Sequence, residues 1–107
     1  MEIYCKHKFK ATHHLSLLYD SPCNQPHEHN WLIEVWVKGE PEQGIIVDFN
    51  KLKETLASYE NKDLNVTIAN PTAENFALEI QSRIDQAISK KARVRVWETD
   101  DCYAETD

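Results

Sequence analysis

The chain has 107 residues, with 12 Lys plus Arg against 18 Asp plus Glu and a formal charge of -6, which fits one domain spanning residues 1–107. Hydrophobic residues make up 41%, enough for a core and too many for a disordered chain. The acidic balance disfavours non-specific nucleic-acid binding, no apolar run approaches the ~20 residues that cross a bilayer, and Gly39 and Gly44 alone cannot build a glycine-rich phosphate cradle.

Residues 2–13 alternate. Ile3, Cys5, His7, Phe9, Ala11 and His13 point one way and Tyr4, Lys6, Lys8, Lys10 and Thr12 the other, the period of a half-buried strand. A loop rich in turn formers (Asp20, Ser21, Pro22, Asn24, Pro26) leads to a second strand. There His27, His29, Trp31, Ile33, Val35 and Val37 share one face, and Glu28, Asn30, Leu32, Glu34, Trp36 and Lys38 share the other. Gly39 to Gly44 forms a turn. The period then becomes helical: Asp48 caps a helix carrying Phe49, Leu52, Leu56 and Tyr59 on one stripe. A polar link runs from Glu60 to Asn70, and either Asn70 or Thr72 caps a second helix with the stripe Ala73, Phe76, Ala77, Ile80, Ile84 and Ile88. Lys90 and Lys91 close it, where cations suit the helix dipole. Val94, Val96 and Glu98 alternate with Arg93, Arg95 and Trp97 in a third strand, and a turn at Asp100-Asp101 starts a short fourth around Cys102-Tyr103. The order ββααβ(β) predicts an α+β domain with both helices on one face of an antiparallel sheet. Oligomerisation is one way for so small a sheet to cover its edges.

All five histidines (His7, His13, His14, His27, His29) lie in the first 29 residues. His27 and His29, two apart on a strand, project from one face roughly 7 Å apart. Antiparallel pairing of the first two strands brings His13 beside them. Three neutral nitrogens with a fourth position open describe a catalytic zinc site. His7 is about 20 Å up a straight strand and reads as a core-edge histidine; His14 faces the other way and reads as surface. Cys23, four residues before His27, is either a small loop filler or a thiol that acts as base beside a metal. Glu98 ends the apolar row Val94-Val96, so alternation turns a carboxylate toward the core side. It either caps or pairs locally, or receives the adjacent N–H donors of a pterin or guanine edge. Three cysteines (Cys5, Cys23, Cys102) argue against a disulfide framework, and the opening MEIYCKHKFK has no apolar h-region; both imply a reducing, cytoplasmic setting.

In order, these motifs resemble the 6-pyruvoyltetrahydropterin synthase / 6-carboxytetrahydropterin synthase family, the latter being the queuosine-pathway enzyme. Phe9-Lys10-Ala11-Thr12-His13-His14-Leu15 looks like the family's Phe-x-Ala-x-His-x-Leu, and Cys23 through His29 like its Cys-x-x-x-His-x-His. Gly44 to Lys53, Pro71-Thr72-Ala73-Glu74 and Glu98-Thr99 are similar to three further family segments. The resemblance implies a T-fold, a hexamer of two stacked trimers with active sites between subunits, and Zn²⁺ on His13, His27 and His29. It also implies Cys23 as proton acceptor, Glu98 as pterin anchor and relay group, and Glu74 and Thr99 beside the substrate. The implied reaction converts 7,8-dihydroneopterin triphosphate to 6-carboxytetrahydropterin, acetaldehyde and triphosphate.

Two positions depart from the pattern. Where the family has an Asp-His pair before Leu-Asn, this chain has Glu60-Asn61 before Leu64-Asn65, and asparagine exchanges no proton near neutral pH. Glu28 stands where the family's His-Gly-His has glycine. The missing histidine keeps two alternatives open: a 6-pyruvoyl-type or aldolase-like lyase, and a catalytically impaired paralogue that binds zinc and a pterin.

Overall fold

A computed structural model describes residues 1–107. Two 12-residue strands, β1 (Glu2–His13) and β2 (His27–Lys38), pair antiparallel over their whole length, Glu2 opposite Lys38 and His13 opposite His27. Helices α1 (Phe49–Ala57) and α2 (Ala73–Ile88) follow, then β3 (Ala92–Trp97) beside β2 and the short β4 (Tyr103–Glu105) beside β3. The sheet order is β1-β2-β3-β4. This is the ββααββ order expected from the sequence, with both helices packed on one sheet face. No helix is long and apolar enough to cross a membrane.

Alternation decides which side of the sheet is dry. Phe9, Ala11, Trp31, Ile33, Val35, Val94 and Val96 face the helices and are buried, meeting Leu52 and Leu56 of α1 and Phe76, Ala77, Ile80 and Ile84 of α2. Phe76 is the hinge of this core: its ring meets Trp31, Phe9 and Tyr59 edge-on, at centroid distances of 5.2, 6.3 and 5.1 Å. The opposite face is polar and knitted across all four strands. Tyr4 and Trp97 both donate to Glu34, Arg95 donates to Glu105, and Arg93 lies 4.1 Å over the Trp36 ring.

The helix ends refine the sequence reading. Asp48 caps α1 through the Asn50 N–H, as its type and place predict. Thr72, not Asn70, caps α2 by accepting from the Asn75 N–H; Asn70 instead receives the Ser16 N–H on its side chain. α2 ends at Ser89 in the left-handed conformation, so Lys90 and Lys91 lie past the helix. Phe49, expected on the buried stripe, is half exposed at the first position of α1. β3 ends one residue earlier than expected, and β4 starts at Tyr103 and runs to Glu105.

Candidate metal centre and active site

The β1–β2 register builds the centre. His13 stands opposite His27, and Ala11 opposite His29, so three imidazoles share the helix-facing side at the loop end of the hairpin. Ring centroids are 4.4 Å apart for His13–His27, 5.0 Å for His13–His29 and 4.7 Å for His27–His29. Trp31 forms the floor, its ring edge-on to His13 and His29 and its indole N–H bound to the Ala11 carbonyl. Phe76 of α2 supports Trp31 from below.

Two rings are oriented by backbone carbonyls. His13 Nδ1 lies 2.7 Å from the Pro71 carbonyl and His27 Nδ1 2.7 Å from the Gln25 carbonyl. An Nδ1–H donated to a carbonyl fixes the tautomer and leaves Nε2 as a free lone pair, the usual orientation of a metal-binding histidine. Burial holds the His13 and His29 imidazoles below the ordinary 6.5, so both are neutral at neutral pH; the nearby Glu98 charge opposes this without overcoming it. His13 Nε2 and His29 Nε2 are buried and make no hydrogen bond. Orphaned, neutral, convergent nitrogens are costly without a ligand, and this donor set fits zinc.

Glu98 completes the group. Its Oε1 lies 3.1 Å from His29 Nε2 and 3.9 Å from His13 Nε2. Ligand atoms of His13, His27, His29 and Glu98 all fall within 4.8 Å of one another. The sequence turned this carboxylate coreward without identifying what it meets there. The answer depends on β3 lying next to β2, which no local pattern encodes.

The other residues singled out from sequence surround this centre at different ranges. Cys23 sits in a 3₁₀ turn, Pro22–Asn24, capped by Ser21, and its carbonyl accepts from the Leu15 N–H at 2.8 Å. That bond ties the cysteine segment to the chain just beyond His13, although the thiol stands outside the four-residue ligand group. Glu74, exposed in the first turn of α2, lines a surface cavity of about 490 Å³ together with Glu98. Thr99 lines a different cavity, on the outer sheet face. Glu28 is exposed on the face away from the histidines. His7 pairs with Glu60 at the outer margin of β1, away from the centre. His14 is half-buried rather than a surface residue, because Asn65 grips its backbone N–H and carbonyl at 2.9 and 3.0 Å. Asn61 adopts a left-handed backbone, φ 57°, and donates its N–H to the Lys10 carbonyl. The orienting carbonyls of Pro71 and Gln25 were missed from sequence, since a carbonyl's direction leaves no mark on residue type.

A family model described as 6-pyruvoyl tetrahydropterin synthase matches residues 2–107. The chain belongs to that family. A provisionally named 6-carboxy-5,6,7,8-tetrahydropterin synthase from Archaeoglobus fulgidus is 36% identical over 102 residues, covering 91% of this chain and 87% of the relative. The dihydroneopterin monophosphate aldolase of Pyrococcus furiosus is 37% identical over 79 residues, covering 67% and 69%. Among solved structures, the 6-pyruvoyl tetrahydropterin synthase of Caenorhabditis elegans superposes with a TM-score of 0.80 at 20% identity, covering 100% of this chain and 94% of that one. The Plasmodium vivax enzyme gives 0.73 at 14% identity, covering 99% and 96%. At these identities the structures establish the shared T-fold, and the family match establishes a pterin lyase of the tetrahydropterin synthase type.

Proposed function

We propose that the chain is a zinc-dependent lyase of the 6-carboxytetrahydropterin type, converting 7,8-dihydroneopterin triphosphate to 6-carboxytetrahydropterin, acetaldehyde and triphosphate as a step toward queuosine. The observation that carries the reading is the set of three convergent imidazoles with orphaned Nε2 atoms on His13 and His29. His13, His27 and His29 hold the ion. Zinc so held supplies Lewis-acid polarisation of side-chain oxygens. Glu98 receives the amino-pyrimidine N–H donors of the pterin through its two oxygens, a bidentate contact that orients the ring. Glu74 shares the Glu98 cavity, and Glu74 and Thr99, the residue after Glu98, are assigned to substrate binding. Cys23 takes and returns the side-chain proton. The reading includes a cytoplasmic homo-oligomer, trimer or hexamer, with sites between subunits.

A second reading is favoured by one relative and one residue. The Pyrococcus furiosus aldolase covers two thirds of the chain, and Asn61 removes the histidine that would complete the proton relay. On that reading the enzyme cleaves the side chain of a phosphorylated dihydroneopterin without forming the 6-carboxy product.

Incubation with 7,8-dihydroneopterin triphosphate and mass identification of the products separates the readings. Acetaldehyde with 6-carboxytetrahydropterin supports the first, and a 6-hydroxymethyl pterin supports the second. Binding with no product identifies an impaired paralogue. Metal analysis should find about one zinc per chain, lost in His27→Ala; full retention in that variant would refute the ligand assignment.

A further inference from the structure

The three imidazoles are held by the fold, His13 and His27 through Nδ1 to the Pro71 and Gln25 carbonyls and His29 against the Trp31 ring. Glu98 is held differently. Its backbone is fixed, the N–H donating to the Cys102 carbonyl at 3.2 Å across the turn between β3 and β4. Its carboxylate, three-quarters buried, has no such tie. No lysine or arginine pairs with it; the groups beside Oε1 are His29 Nε2 at 3.1 Å and His13 Nε2 at 3.9 Å.

The 3.1 Å contact lacks the geometry of a hydrogen bond, and both nitrogens are buried without one. A carboxylate oxygen set against such nitrogens costs free energy unless a cation lies among them. Donors about 2.0–2.2 Å from one tetrahedral zinc stand about 3.3 Å from one another. The separation of Glu98 Oε1 from His29 Nε2 is close to that edge, and all four ligand atoms lie within 4.8 Å of one another. Three imidazoles and a carboxylate are a donor set that zinc accepts. The same carboxylate also faces a ligand space, for with Glu74 it lines the cavity of about 490 Å³. A bidentate contact with an amino-pyrimidine edge engages both of its oxygens, so metal and pterin compete for one group.

We propose that Glu98 is a fourth, exchangeable metal ligand, which binds the ion in the free protein and leaves it when a pterin edge takes the carboxylate. The position that polarises the substrate is then available only in the complex. The exchange rests on the pterin reading; the ligation does not.

Cobalt(II) in place of zinc reports the fourth ligand through its visible absorption. In wild type the spectrum should stay constant from about pH 6.5 to 9, because Glu98 leaves no solvent on the ion to ionise; in Glu98→Gln it should change with a midpoint near about pH 7, the value for water on zinc. Chelator competition should show zinc affinity at least about tenfold lower in Glu98→Gln and unchanged in Glu28→Gln, which removes an exposed charge on the opposite face. Equal zinc affinity in Glu98→Gln, or the same pH midpoint in wild type and that variant, would overturn the ligation. The exchange is tested with 6-methylpterin, which has the amino-pyrimidine edge and no hydroxyl to reach the ion. Its binding, followed by quenching of pterin fluorescence, should give wild type the pH-dependent change that the free protein lacks. Binding with a constant spectrum would overturn the exchange. Failure of the pterin reading is distinct: neither 6-methylpterin nor neopterin would bind, which removes the exchange, while the cobalt and chelator arms still decide the ligation.

Discussion

His13 shows how one residue's environment sets its chemistry. It is fully buried, pinned through Nδ1 to the Pro71 carbonyl and left with a bare Nε2. Burial lowers the pKa values of His13 and His29, so the unfolded chain binds protons that the folded chain refuses. In metal-free protein their contribution to stability is fully present above the unfolded value near 6.5 and is lost as pH falls through the lowered folded values. The urea midpoint of metal-free protein should therefore be flat at about pH 7–8 and decline between about 6.5 and 5, above the range where carboxylates titrate. A midpoint unchanged across that interval would contradict the burial argument. Zinc loading should weaken in the same direction, because protons compete for Nε2.

Asn61 stands where the family resemblance places a relay histidine. Its left-handed backbone suits asparagine and is tolerated by histidine. Asn61→His should then add a proton-exchanging group without backbone strain. On the lyase reading, acetaldehyde release should rise on the order of 10²-fold. Unchanged release in a folded, zinc-replete variant would show that the relay does not run through position 61.

At the scale of elements, α2 supports the candidate metal centre without contributing a ligand. Its N-terminal lead supplies the Pro71 carbonyl, and Phe76 packs under Trp31, the floor beneath His13 and His29. Phe76→Ala should cost about 3–5 kcal/mol of stability in denaturant unfolding, because a fully buried ring leaves a cavity. Zinc affinity measured by chelator competition should fall about tenfold in the same variant, as for loss of a group that orients metal ligands. Destabilisation with unchanged affinity would mean that the β1–β2 hairpin alone holds the imidazoles. The loop between the two strands is held by asparagines: Asn65 on the His14 backbone, Asn24 on the Leu17 N–H and Asn70 on the Ser16 N–H. Each replaces a backbone partner that an irregular segment lacks.

For the whole molecule the open question is the sheet's edges. The segment 61–63 covers one end of the β1 edge, through Asn61 N–H to the Lys10 carbonyl and Thr12 N–H to the Lys62 carbonyl. By the period of two, the N–H and C=O groups of Tyr4, Lys6 and Lys8 face the same way and have no strand beside them. β4, the other edge, is only three residues long. Unpaired edges of this kind are covered by a second chain or left as a liability. If assembly runs through β1, Lys6→Pro removes an outward donor while leaving the β2 ladder intact. Light scattering should then report wild type at a multiple of 12.5 kDa and the variant at 12.5 kDa. An unchanged oligomer would move the interface elsewhere.

By itself the sequence determined what depends on period and spacing. Alternation along β1 and β2 placed His13, His27 and His29 on one face, and the 3.6-residue stripes of α1 and α2 defined the core that carries the hairpin. These are local properties, repeated over enough residues to be unambiguous. Tertiary structure decided everything that needs two distant segments to meet. Glu98 reaches His29 only because β3 lies against β2. Pro71 orients His13 across 58 residues of sequence, and His7, stacked on Phe9 at the edge of the core, finds Glu60. The choice of Thr72 over Asn70 as cap followed from Asn70 being taken by Ser16, a long-range bond. Residue type records which face a side chain occupies, but the partner waiting on that face is set by the packing of the whole chain.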